Sequence, residues 1–459
     1  MGKMIPFFML PVITRLIPNS YYMGLSDMSN TLLSFSQAFA VMGMYDAMFR
    51  MFFEKEEQIY KKEVCSSAVA FIGFSSLLVF LFLFTFKEQI AESFFADSSL
   101  IPLVFVTAVG VLAGATNNIV AAPTRMQNKR RIFLATNVIT PLISYGIAIY
   151  LLRKGNYIYA LPLGSVIAAI ATEVIFIFLN YKWFSLKFVR WNLIKSMLCI
   201  GIPLLPNFLI YWVFNSCDRI MISQFLGMEH TGLYAVGSKF GHISQLIYSA
   251  FAGGWQYFAF STMRDEDQVE LTSRVFEYLG CLAFSATILV SFCSDFFFAF
   301  LFGEEYQAAA VTVPYLFMAP LAQMLFQVAA NQFLVIKKTM PSSMILFAGA
   351  IGNVGLNAIL IPRIGIEGAA IATLVGFSLS TLICACILTK MRLFQVSSRC
   401  KWVAFLFVLY MLLWRIFNHR MAWISILAGS FVLLLYLIFY KKDLESVKVL
   451  IHKKENYDS

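Results

Sequence analysis

Fourteen apolar stretches follow one another along the chain, and this succession restricts the fold more than any other feature. An α-helix needs about 20 apolar residues to cross a bilayer, and most of the stretches reach or exceed that length. We therefore predict an all-α integral membrane protein of about fourteen transmembrane helices. The predicted spans are residues 4–18, 26–49, 64–86, 100–123, 132–152, 157–181, 197–226, 231–262, 275–301, 309–336, 341–361, 367–389, 400–417 and 421–440.

Composition supports a membrane protein over a soluble one. The chain is 60% hydrophobic and 13% charged, with a mean hydropathy of +0.76. A soluble domain is usually about one quarter charged. The net charge of +10 does not indicate nucleic-acid binding, because the basic residues occur in short clusters between apolar runs and no RNA-binding motif accompanies them.

The sequence contains no sign of a metal site, cofactor site or catalytic site. The eight cysteines lie mostly within apolar runs without C-x-x-C spacing, so we expect reduced, structural thiols. Connections between spans are short and leave no room for a soluble catalytic domain. We therefore expect a protein that is not an enzyme and binds no cofactor.

The distribution of Lys and Arg predicts the orientation. With the N-terminus inside, alternate connections place 26 of these residues in cytoplasmic segments and 7 outside. Such an excess is typical of the cytoplasmic side of a membrane protein. We therefore predict a membrane protein with cytoplasmic N- and C-termini.

Comparing the chain with itself reveals a repeat at an offset of 208 residues. An even number of spans per unit predicts parallel, pseudo-symmetric repeats. The predicted parts are six-helix lobes at 1–190 and 191–393, a further helix pair at 394–441 and a cytoplasmic tail at 442–459. The repeat equivalent of the seventh span would start about eleven residues before Met1, so we expect the native start to lie upstream of Met1. The matching landmarks are Gly24-Leu25 with Gly232-Leu233, Lys129-Arg130 with Lys337-Lys338, and Ala160 with Gly368.

Polar residues form a predicted stripe on the eighth span and a shorter equivalent on the second. Helical spacing places the members of each stripe on one face. A polar face in a membrane helix must contact protein or a water-filled cavity. Interhelical hydrogen bonding and the lining of a substrate cavity are both compatible with the pattern. The stripes are Ser238, His242, Gln245, Ser249 and Gln256, and Asn30, Ser34 and Gln37.

Three basic residues lie within or beside spans at similar predicted depths. Arg219 on the seventh span lies level with Lys239 on the eighth, and Arg15 corresponds to a position one turn from Arg219. We expect Arg15, Arg219 and Lys239 to face an anionic ligand and Asp218 to orient them. An Asp218–Lys239 pair that locks two helices, with Arg15 and Arg219 reaching to the surface, is the alternative.

Five further residues of the spans are candidates for a structural or functional role. Pro203 and Pro206 lack the backbone donor and should bend the seventh helix, which makes them hinge candidates. Glu173 is an ion-coupling candidate or an acid near Lys182. Asp27 and Asp46 are expected to end the second span.

Residues 201–245, GIPLLPNFLIYWVFNSCDRIMISQFLGMEHTGLYAVGSKFGHISQ, resemble the seventh and eighth helices of bacterial polysaccharide flippases. Residues 364–376, IGIEGAAIATLVG, are similar to their twelfth helix, and the likeness covers roughly residues 2–390. These flippases belong to the multidrug/oligosaccharidyl-lipid/polysaccharide exporter superfamily. The resemblance implies a MATE-like fold whose first, second, seventh and eighth helices line a central cavity. Many O-antigen flippases have twelve spans, so the subfamily stays open.

The resemblance also implies a function. It predicts export of an undecaprenyl-pyrophosphate-linked oligosaccharide to the outer leaflet during O-antigen, capsule or other surface polysaccharide synthesis. The expected partners are the bilayer, this lipid-linked substrate and polysaccharide polymerase machinery, and a monomer is sufficient. The alternatives are a cation-coupled multidrug exporter, a membrane polysaccharide polymerase and a scaffold for cell-wall assembly.

Overall fold

The fold is built from α-helices throughout the part of the chain that the structure describes. This structure is a computed structural model and describes residues 4–263, 265–338, 340–418, 421–443 and 445. The predicted tail at 442–459 therefore lies largely outside the described residues. The helices are α1 (Ile5–Leu16), α2 (Ser20–Val41), α3 (Met44–Phe52), α4 (Gln58–Thr85), α5 (Lys87–Phe95), α6 (Ile101–Met126), α7 (Arg130–Arg153), α8 (Ala160–Asn180), α9 (Trp191–Gly201), α10 (Leu205–Leu226), α11 (Met228–Gly241), α12 (Ser244–Ser261), α13 (Gln268–Leu301), α14 (Val313–Val335), α15 (Met340–Ile364), α16 (Ile366–Lys390), α17 (Ser398–Phe417) and α18 (Ala422–Phe439).

Most predicted spans correspond to helices that are long and apolar enough to cross a membrane. Eleven such spans occur among the described residues. The other three predicted spans are irregular: the first is the 12-residue helix α1, and the second and eighth are each divided into two helices. The all-α membrane fold is confirmed, and its departures from regular spans fall in α1, α2–α3, α9–α10 and α11–α12.

The two divided spans break at glycines that closely approach another helix. The second span breaks at Met42 and Gly43, both with positive φ. A Cβ on Gly43 would lie 2.5 Å from the carbonyl oxygen of Gly201, so this turn depends on glycine. The eighth span breaks after Gly241, where a Cβ would lie 2.8 Å from the side chain of Leu316.

The starts of α2 and α11 agree with the predicted repeat. Adding 208 to Ser20, the first residue of α2, gives Met228, the first residue of α11. The landmark pair Gly24 and Gly232 are themselves in contact, since a Cβ on Gly232 would lie 1.8 Å from the carbonyl oxygen of Ser20. The two equivalent helices therefore cross with their backbones touching, and neither glycine leaves room for a side chain.

The chain forms two compact units. Unit 1 contains residues 1–239, 301–309 and 353–372, and unit 2 contains residues 240–300, 310–352 and 373–459. In unit 1, α9, α10 and most of α11 join the N-terminal helices. The lobe boundary at residue 190 was inferred from the sequence repeat and not from contacts, so it stays a prediction.

Each unit is organised around one deeply buried helix. In unit 1 this helix is α6: of the residues in its most apolar stretch, 56% are buried. The corresponding share for α7 is only 11%. In unit 2 it is α14, which corresponds to α6 in the predicted repeat and has 89% of the residues in its apolar stretch buried. Since α6 packs against α2, α4 and α8, it holds in place the polar residues described next.

Candidate functional site

Arg219 is the centre of a buried ion-pair cluster in unit 1. Its Nε donates to Asp27 Oδ2 at 2.7 Å, and its Nη2 donates to Ser238 Oγ at 2.9 Å. Its Nη1 donates to Asp218 Oδ1 at 3.2 Å and to the carbonyl oxygen of Asn215. The hydroxyl of Tyr234 donates to the other oxygen of Asp218. The cluster therefore joins α2, α10 and α11 through one guanidinium.

The cluster is closed to solvent and nearly saturated with hydrogen bonds. The side chain of Arg219 is 13% exposed, that of Asp27 8% and that of Asp218 3%. Arginine suits such a position because its planar guanidinium carries five donors and stays charged. With two carboxylates and a serine hydroxyl already bound, Arg219 has little capacity left for a ligand.

A polar cavity of about 310 Å³ lies beside the cluster, entirely within unit 1. Half of the described lining residues are polar, and these comprise five hydroxyls, two amides and one ammonium group. The polar lining residues are Ser26, Asn30, Asn117, Thr140, Ser144, Tyr145, Ser165 and Lys239.

Lys239 connects the cavity with the cluster. It is the only charged residue among the described lining residues, and its side chain is exposed. Asp27 acts electrostatically on Lys239 as well as on Arg219. Asp218, Arg219, Asp27 and Lys239 thus form a series of alternating charges that ends at the cavity wall.

The predicted basic residues take different positions. Arg219 lies in the cluster and Lys239 on the cavity wall, whereas Arg15 is exposed on α1 and is neither a described partner of Arg219 nor a lining residue. The alternative hypothesis of an Asp218–Lys239 pair was wrong, because Asp218 pairs with Arg219. The expectation that Arg219 faces a ligand does not fit its burial between two carboxylates.

The predicted stripe on the eighth span is interrupted. Because the helix breaks at His242 and Ile243, Ser238 lies on α11 in the cluster, while Gln245 lies on α12 in unit 2. The single continuous face was therefore wrong, and His242 lies in the turn of unit 2.

The stripe on the second span lies on one helix, but its members differ. Asn30 lines the cavity. Ser34 is exposed and accepts a hydrogen bond from Trp212 Nε1 at 3.1 Å. Gln37 packs against Gly114, where a Cβ would lie 2.1 Å from its amide nitrogen. Only the first of the three therefore contributes to the cavity.

The remaining candidates lie at some distance along their helices. Glu173 accepts a hydrogen bond from Thr116 and lies one turn beyond the lining residue Ala169 on α8. Pro203 lies in the 3-10 turn between α9 and α10, and Pro206 lies in the first turn of α10. The seventh span is thus interrupted at its prolines, and a hinge motion there stays a prediction.

Asp27 is the cluster residue whose position the sequence did not predict. It was expected to end the second span, yet α2 begins seven residues before it and continues to Val41. The prediction was wrong because position near a span boundary does not reveal a partner, and here Asp27 is satisfied inside the helix by Arg219. Ser238, the other partner of Arg219, could have indicated the position of Asp27. At the offset of 208 it corresponds to Asn30, which lies three residues after Asp27 on α2.

Comparison with known proteins identifies the family. Residues 12–311, well over half of the chain, match the model of the polysaccharide biosynthesis protein family. The chain belongs to this family. It is also 22% identical over 374 residues to an uncharacterized membrane protein of Methanocaldococcus jannaschii, covering 75% of this chain and 73% of that protein.

Solved structures share the fold of this polysaccharide biosynthesis family member. Lipid II flippase MurJ in an inward closed conformation superposes with a TM-score of 0.73 at 17% identity, covering 96% of this chain and 98% of that one. An inward-facing multidrug resistance MATE family transporter of the MOP superfamily superposes with a TM-score of 0.65 at 14% identity, covering 85% and 94%. The protein is thus a multi-pass membrane protein with a MATE-like fold.

Proposed function

We propose that the protein flips an undecaprenyl-pyrophosphate-linked oligosaccharide from the cytoplasmic to the outer leaflet during surface polysaccharide biosynthesis. The family membership and the fold shared with a lipid II flippase support this proposal. Transport would proceed by alternating access, with both termini in the cytoplasm of a bacterial cell. No covalent step is needed, and a monomer would be sufficient.

The chemistry of the cavity wall carries the proposal. Hydroxyl and amide groups suit the hydroxyls of a saccharide, and the described lining residues include an ammonium group but no carboxylate. A cation-coupled multidrug exporter, which the MATE-like fold also allows, would be expected to place acids in such a cavity. The wall of this cavity therefore favours the flippase over the exporter.

Lys239 offers a direct test. Reconstituted into proteoliposomes, the protein should accelerate flipping of lipid-linked oligosaccharide extracted from the source cells. Lys239→Gln should lower this rate about tenfold, since a hydrogen bond from a charged group contributes about 1.5–3 kcal/mol. The matched control is Lys154→Gln, in the exposed loop after α7, which should flip at the wild-type rate.

Three outcomes would contradict this function. Wild-type protein that does not accelerate flipping of the extracted lipid above empty liposomes would exclude it. Uptake of cationic dyes coupled to a proton or sodium gradient, in the same liposomes, would favour the exporter instead. A polymerase would lengthen the saccharide, which chromatography of the released glycans would detect.

A further inference from the structure

Several polar groups on the cavity wall have no partner in the protein. The amides of Asn30 and Asn117 and the hydroxyl of Tyr145 make no hydrogen bond within the described part of the chain, although all three line the cavity. Polar groups at membrane depth are costly unless they are satisfied. Their arrangement around one cavity therefore indicates an occupant that accepts and donates several hydrogen bonds.

The charges around the cavity are already balanced. Arg219 and Lys239 are two basic residues, and Asp27 and Asp218 are two acidic residues in the same series of electrostatic interactions. A pyrophosphate placed here would meet one ammonium group and would be repelled by the buried carboxylate of Asp27, with which that ammonium group interacts electrostatically. Because Coulomb interactions are strong away from bulk water, this repulsion disfavours a doubly charged ligand. A neutral saccharide avoids this repulsion.

The size of the cavity agrees with a small polar occupant. Its volume of about 310 Å³ lies at the lower end of the roughly 300–1,000 Å³ found for small-molecule sites. The apolar part of the wall includes Leu10 and Leu161 and can contact the carbon face of a sugar ring. The cavity can hold one or a few sugar residues and has no room for a polyprenyl chain.

We infer that this cavity is the saccharide subsite of the transporter and that the pyrophosphate of the substrate lies outside it. The inference rests on the proposed function and adds a division of the substrate between two places. Asn30, Asn117 and Tyr145 then hydrogen-bond sugar hydroxyls or amides. Lys239 then donates to a sugar oxygen.

Competition binding separates the two parts of the substrate. The full-length protein in detergent is saturated with radiolabelled lipid-linked oligosaccharide from the source cells. Two soluble competitors are then added: the saccharide released from that lipid by mild acid, and inorganic pyrophosphate. Tyr145→Phe and Asn30→Ala should each weaken competition by the saccharide about tenfold and leave competition by pyrophosphate unchanged.

A matched control lies on the same helix. Tyr150 is exposed near the end of α7 and does not line the cavity, so Tyr150→Phe should change neither competition. The inference is overturned if the released saccharide does not compete in the wild type. It is also overturned if Lys239→Gln abolishes competition by pyrophosphate while Tyr145→Phe leaves saccharide competition unchanged. Failure of the proposed function looks different, because the wild type would then bind no lipid-linked oligosaccharide.

Discussion

The ion-pair cluster and the cavity wall lie side by side on α2 but satisfy their polar groups in different ways. Asp27 points into the cluster and pairs with Arg219. Asn30, three residues later, lines the cavity and makes no hydrogen bond within the described residues. Polar residues in one membrane helix thus divide into a saturated set that holds helices together and an unsatisfied set available to a ligand. Charge alone does not identify the ligand-binding set.

The strongest test of this difference removes the centre of the cluster. Arg219→Met leaves Asp27 and Asp218 buried without a cation, which should lower the free energy of unfolding by about 3–5 kcal/mol. Thermal unfolding of the purified protein in detergent, followed by tryptophan fluorescence, measures the loss.

A compensated variant provides the control for that experiment. Combining Arg219→Met with Asp27→Asn and Asp218→Asn removes the uncompensated charges, so it should recover part of the lost stability. If Arg219→Met alone were as stable as the wild type, the cluster would not hold α2, α10 and α11 together.

A smaller effect is expected at the edge of the cluster. Tyr234→Phe removes the hydrogen bond to Asp218 but leaves the ion pairs. The loss should be about 1.5–3 kcal/mol, as is typical of hydrogen bonds to charged groups. Chemical denaturation in mixed micelles would measure it, and Tyr257→Phe on the exposed face of α12 is a suitable control.

The smallest effect on stability is expected at the cavity wall. Asn30→Ala should change the free energy of unfolding by no more than about 0.5 kcal/mol, because the amide has no protein partner to lose. The same thermal unfolding assay measures this value beside that of Arg219→Met. A loss as large as that of Tyr234→Phe would show that Asn30 belongs to the structural set, and the contrast between the two regions would disappear.

The sequence was a good guide to the fold because membrane insertion depends on local composition. Apolar length located the spans, and the offset of 208 aligned α2 with α11, down to the contact between Gly24 and Gly232. It was a poorer guide to helix breaks. The break after Gly241 depends on packing against Leu316, which is 75 residues away in the chain.

The candidate site was predictable only in part. Depth counting placed Arg219 and Lys239 at the same level, and the structure places them next to one carboxylate. Their different roles could not be predicted, because the partner Asp27 lies 192 residues from Arg219. Most polar residues of the cavity wall, including Asn117 and Tyr145, were also not predicted, because single polar residues in α6 and α7 form no periodic stripe.

The sequence by itself determined that this chain is an all-α membrane protein with a repeat and a few intramembrane charges. Hydrophobicity and charge are properties of single residues, so they can be read from the sequence without the tertiary structure. Only the tertiary structure decided which charges neutralise each other. That choice depends on distances of about 3 Å between α2, α10 and α11, and it leaves Lys239 as the cation that faces the cavity.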